Sequence, residues 1–122
     1  MVFQKAHPLA MIAGAAVSIA RFVKMSGAKV IQCAADTDDA VGVSMTAAAA
    51  DLDSIAVAAY DGGIVEVTAG AAITAGVPVA SDATGRALAA VTGDRVLGYA
   101  QKAAAAAGEV IDVLLVKGGH II

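Results

Sequence analysis

The chain has no tryptophan, two phenylalanines, two tyrosines, two prolines and one cysteine among its 122 residues. With aromatics at 3%, the core cannot be organised around large rings. Alanine, valine and glycine must fill it, each side chain burying little area. The lone Cys33 excludes an internal disulfide and a thiolate metal cage, and reads as a small, buried, reduced residue. Positive charge is sparse as well: 8 Lys and Arg against 11 Asp and Glu give a net charge of −3. No basic stripe is present to neutralise phosphates, so nucleic acid is not an expected partner. The longest stretches without Asp, Glu, Lys or Arg, Ala6 to Ala20 and Val67 to Ser81, both contain Gly and Pro. They fall short of the roughly 18 apolar residues a membrane helix needs, and no membrane partner is expected.

Groups able to do chemistry are equally scarce. His7 and His120 lie at opposite ends of the chain. Ser44, Ser54 and Ser81 sit in no Gly-x-Ser-x-Gly context, and none of the thirteen glycines forms a phosphate-binding loop. Cys33 has no neighbouring base in sequence to activate it. Asp36-Thr37-Asp38-Asp39 is the one dense carboxylate cluster, but it lacks the glycine and distal glutamate of a calcium loop. Aspartate and threonine there read as turn and capping residues, and Asp51-Leu52-Asp53 reads as a solvated loop. The sequence therefore predicts no catalytic residue, no cofactor and no metal site, and a protein that is not an enzyme.

What is present is short-range punctuation. Ser26-Gly27, Asp61-Gly62-Gly63, Ala69-Gly70, Asp82-Ala83-Thr84-Gly85, Thr92-Gly93-Asp94, Gly108 and Gly118-Gly119 mark turns. Between them lie β-branched segments at 17–23, 29–33, 55–59, 64–68, 77–80, 96–100 and 110–116, the pattern of an all-β barrel or sandwich. Asp82-Ala83-Thr84-Gly85 is an expected hairpin turn. The alanine tracts Thr46–Ala50 and Lys102–Ala107 are too short for independent helices and are expected as loops or single helical turns. Residues 42–63 align without gaps to 98–119, pairing Asp53 with Glu109, Ile55 with Ile111 and Val57 with Val113. Because strand faces depend on parity, this register predicts two related units in one pseudo-symmetric core.

Residues 1–15 form an apolar N-terminal segment with the outline of a signal peptide but only Lys5 as a basic region. It is expected as a retained extended arm ahead of a single β-rich domain at 16–122. Hydrophobic residues make up 59% of the chain and mean hydropathy is +0.79. This points to apolar surface buried against other chains. The expected fold is mainly β: a small pseudo-symmetric β-barrel or β-sandwich, β-tulip-like, with short helical turns.

From Arg21 onward the sequence resembles the bacteriophage capsid decoration (cement) proteins. The matching stretches are Arg21-Phe22-Val23-Lys24, Thr37-Asp38-Asp39-Ala40-Val41-Gly42-Val43 and Gly63-Ile64-Val65-Glu66-Val67. They continue through Ala69–Gly76, Ser81–Arg86, Arg95-Val96-Leu97-Gly98-Tyr99-Ala100, and Ala106–Glu109 leading into Val113-Leu114-Leu115. Ala50-Asp51-Leu52-Asp53 departs from the small-residue Gly-acidic turn of the pattern. The resemblance implies a homotrimeric structural protein on the outer surface of the virion capsid, present in the host cytoplasm before assembly. Its partners would be the major capsid protein and itself, and it would stabilise the expanded head by bridging capsid subunits. The arm residues Val2, Phe3, Pro8, Leu9, Met11 and Ile12 are the expected capsid contact, and Val110, Leu114 and Val116 the expected trimer contact. Two other readings remain: a tail or connector protein, and a biotinyl- or lipoyl-like carrier using Lys24 beside Met25.

Overall fold

The computed structural model describes residues 8–59 and 63–116. Its strands are β1 (Pro8–Ile12), β2 (Phe22–Ser26), β3 (Lys29–Gln32), β4 (Gly42–Ser44), β5 (Ser54–Ala59), β6 (Ile64–Thr68), β7 (Pro78–Ser81), β8 (Ala87–Ala89), β9 (Gly98–Ala100) and β10 (Val110–Leu115). They form two five-stranded antiparallel sheets, β1-β5-β4-β2-β3 and β6-β10-β9-β7-β8, in a sandwich-like arrangement. The second order is the first with every strand moved on by five.

The repeat therefore runs through the whole described chain, beyond the expected 42–63 and 98–119. Most equivalent positions are 56 residues apart: Pro8 and Ile64 open β1 and β6, Gly42 and Gly98 open β4 and β9, and Ser54 and Val110 open β5 and β10. The irregular parts obey the same offset. Val17 bridges Ala48 as Ile73 bridges Ala104. The Ala13 amide donates to the Asp53 carbonyl at 2.8 Å, and the Ala69 amide to the Glu109 carbonyl at 2.7 Å. The sequence signal for this N-terminal copy is Ala13-Gly14-Ala15-Ala16-Val17-Ser18 against Ala69-Gly70-Ala71-Ala72-Ile73-Thr74.

Several expectations are corrected. Residues 8–12, read as part of an arm without a strand of its own, are β1, an edge strand paired with β5 from Pro8↔Ala58 to Ile12↔Ser54. Alternation is weak there because an edge strand that stays half-exposed does not need one polar and one apolar face. The sheets do not close into a barrel; the first curls only until one parallel bridge, Ala13↔Val30, joins its two edges. The alanine tracts are loops, as one of the two expected forms, with bends pinned by the Ala48 and Ala104 bridges; the expected helical turns are not formed, and no helix occurs among the described residues.

Two turns held by a carboxylate show why these loops keep one shape. Asp53 Oδ2 accepts the Ala49 and Ala50 amides at 3.0 and 3.1 Å, and Glu109 Oε2 accepts the Ala105 and Ala106 amides at 3.0 and 2.8 Å. Each carboxylate satisfies donors that would otherwise be left without a protein partner. The departure at Leu52 does not alter the loop: Leu52 takes φ +74° where its equivalent, Gly108, takes +93°. The expected turn at 82–85 is the β7–β8 hairpin, with Gly85 at φ +79°.

The core is built from small side chains, as composition dictates. One cluster (Ala13, Val17, Val23, Val30, Ala48, Ile55, Val57) lies wholly within the first half. The larger cluster joins Phe22, Val43 and Ala58 of the first half to Val67, Leu97 and Ile111 of the second. Backbone bonds cross the same seam: Phe22 N to Gly85 O at 2.7 Å, Arg95 N to Asp36 O at 2.8 Å and Thr68 N to Ala20 O at 2.9 Å. The halves thus share one interior.

Candidate docking surfaces

The polar residues singled out in the sequence are occupied with structure. Ser44 is buried, its hydroxyl donating to the Ser18 carbonyl at 2.6 Å and accepting the Arg21 amide at 3.1 Å. The buried Ser81 hydroxyl donates to the Asp82 carbonyl. Burial and the nearby Asp38 charge push the Cys33 thiol up to about 12, where it is neither nucleophile nor ligand at neutral pH. Lys24 lies mid-strand in β2 and is bound to Asp38 at 2.9 Å, whereas a carrier lysine stands at a hairpin tip.

The carboxylate cluster caps turns. Burial raises Asp38, but the Ala34 amide, the Lys24 ammonium and the Ala35 amide outweigh it and hold its carboxyl below the ordinary value. Asp36 meets Asp94 across the seam; the hydrogen bond and the repulsion between the two carboxyls raise Asp36 above the ordinary value. No group of three or more His, Cys, Asp or Glu among the described residues is arranged to hold a metal.

Exposed apolar surface is the remaining candidate. Val2, Phe3, His7 and His120 lie outside the described residues. Of the other arm residues, Pro8 opens β1, Met11 packs on the first-half core, and Leu9 and Ile12 keep 48% and 40% of their surface exposed. In β10, Ile111, Val113 and Leu115 point inward. Val110, Asp112, Leu114 and Val116 share the outward parity, so the three expected trimer residues do lie on one face.

Sequence reading missed a groove along the seam. It has a volume of about 530 Å³, and its lining includes Ile19 and Met45 of the first half and Ile64, Glu66, Val110 and Asp112 of the second. Ile19 is 57% exposed and Val110 44%. Glu66 and Asp112 are direct cross-strand partners in the β6–β10 register. The groove needs both halves in place, so no local motif encodes it.

Ser44, Ser81, Asp38, Asp53 and Glu109 are thus hydrogen-bonded within loops and turns, while Leu9, Ile12, Ile19 and Val110 stay exposed. The phage cement protein family matches residues 3–115, and the chain belongs to that family. It is therefore placed among structural proteins of the phage head, which accords with a non-catalytic role. In fold it is similar to the crystal structure of the head fiber gp8.5 N base in bacteriophage phi29, with a TM-score of 0.74 and 20% identity. That match covers 94% of this chain and 98% of the other. No curated protein matches the chain in sequence.

Proposed function

We propose that the protein binds the outer surface of the expanded phage head as a trimer and stabilises it by bridging capsid subunits. Membership of the cement protein family carries this reading. The exposed Leu9 and Ile12 supply a capsid contact on β1, extended by Val2, Phe3, Pro8 and Met11, and Val110 and Leu114 on β10 with Val116 just beyond it supply the trimer contact. Ligand that binds one state of a shell and not another favours that state by mass action, so selective binding to expanded heads opposes their contraction.

The test is co-sedimentation of the purified protein with undecorated heads of its phage, before and after expansion. Saturable binding to expanded heads alone is expected. Binding to neither form overturns the proposal. Leu9→Ser with Ile12→Ser, which leaves β1 paired, should weaken binding if β1 faces the head. Sedimentation equilibrium should give three copies per particle, reduced to one by Leu114→Ser with Val116→Ser.

A further inference from the structure

The two halves provide an internal control for surface positions on their equivalent strands. On the outward face of β1 and β5, the cross-strand partners are Ala10 and Ala56, both neutral. On the equivalent face of β6 and β10 they are Glu66 and Asp112. Like charges directly opposite each other weaken a strand pair. The first half shows that the same backbone forms without them. Neither carboxylate has an ion-pair partner among the described residues, whereas Lys24, Lys29 and Arg86 each do. The fold thus sets two carboxylates opposite each other that it does not need, and both line a groove together with Ile19, Met45, Ile64 and Val110.

We infer that this groove docks a segment of the major capsid protein that carries a lysine or arginine between apolar residues. The apolar walls give up exposed surface on binding, and the cation relieves the repulsion between Glu66 and Asp112. A second copy of this chain is a poorer occupant. It is acidic overall, with 8 Lys and Arg against 11 Asp and Glu, and three of those cations, Lys24, Lys29 and Arg86, are already held in ion pairs. The inference rests on the head-binding reading and divides the outward face of β10. It moves Val110, a groove residue, from the trimer contact to the capsid contact and leaves Leu114 and Val116 for the neighbouring copy.

The experiment compares wild type with the Glu66→Gln, Asp112→Asn double variant for binding to undecorated expanded heads at low and high salt. Sedimentation and melting of the free protein are measured alongside. The variant should melt at or above the wild-type temperature and keep its oligomeric state. It should bind heads about tenfold or more weakly and lose most of the salt dependence seen for wild type. Equal binding by the two proteins overturns this inference and leaves head binding intact. A variant that loses self-association while single copies still bind heads also overturns it, and gives the groove to a second copy. Failure of wild type to bind any head removes the parent reading and this one together.

Discussion

Replacing Gly42 by alanine tests the tightest contact in the first sheet. A Cβ there would overlap the Ala58 carbonyl oxygen and press on Val57 Cγ1 at 2.9 Å. Neither can yield, because β4 and β5 are held in register by Gly42↔Ala59, Val43↔Ala58 and Ser44↔Val57. Accommodation means lifting β4 off β5. Overpacking of this kind costs about 1–3 kcal/mol, and each ladder hydrogen bond lost adds about 1 kcal/mol. Alanine's stiffer unfolded chain returns less than about 1 kcal/mol. The expected loss is about 3 kcal/mol, a large share of the roughly 5–15 kcal/mol that holds a domain together. In urea, with a slope of about 2 kcal/mol/M, the midpoint falls by about 1.5 M. Gly98 is the equivalent position, with Leu114 O at 2.5 Å and Val113 Cγ1 at 2.7 Å from an added Cβ, so Gly98→Ala should lose a similar amount. Gly93→Ala is the comparison: φ is +97° but nothing lies within 4 Å, so only backbone strain of about 1 kcal/mol is expected. If Gly42→Ala and Gly98→Ala both unfold within about 0.5 kcal/mol of wild type, close approach does not fix these glycines and the argument is refuted.

Gly108→Leu installs the first half's residue in the second; with open space around it, strain alone should lower stability by about 1 kcal/mol in the same urea assay. Asp53→Ala and Glu109→Ala each strip a carboxylate from two loop amides, and each should cost about 1 kcal/mol. Burial raises Asp82, but the Thr84 amide and the Arg86 amide and guanidinium outweigh it and lower its pKa. Its stabilising contribution is present above the ordinary aspartate value and lost as pH falls through the lowered one. Asp82→Asn should therefore flatten the acid limb of a plot of unfolding midpoint against pH. Asp36 has the opposite sign. Its contribution is present below the ordinary value and lost as pH rises through the raised one, so Asp36→Asn should stabilise at neutral pH and not in acid. A midpoint that falls at neutral pH would show that the Asp36–Asp94 contact does not carry that sign.

Much of the β architecture could be read from local sequence because turns and β-branched runs are short-range signals. Expected segments at 29–33, 55–59, 64–68 and 110–116 appear as β3, β5, β6 and β10. The segment 17–23 failed because its residues serve two purposes. Val17 makes an isolated bridge, Ala20 turns the chain at φ +60°, and only Phe22 begins a strand. β4 and β8 have three residues each, too few for any periodicity to show. β1 was obscured by a composition that also suits a signal segment. The parity of β10 was legible as a pattern without a direction, since both faces are mainly apolar; only packing shows that Ile111, Val113 and Leu115 are the buried set. The groove was not legible because Ile19 and Met45 meet Val110 only after the two halves dock.

The halves agree and differ in a physically ordered way. Several inward positions pair like with like: Val17 with Ile73, Val23 with Val79, Ile55 with Ile111, Val57 with Val113, all buried. Close packing constrains these to similar volume, because a change of even one methylene inside is felt. Outward positions on the paired strands diverge in chemistry: Ala10 against Glu66, Ser54 against Val110, Ala56 against Asp112. Register fixes where each of these side chains emerges, and nothing inside depends on which one it is. A duplicated sheet can in this way present two different surfaces on one scaffold without disturbing its core. A module that must touch unlike neighbours needs that asymmetry, and a strictly symmetric duplicate would not have it.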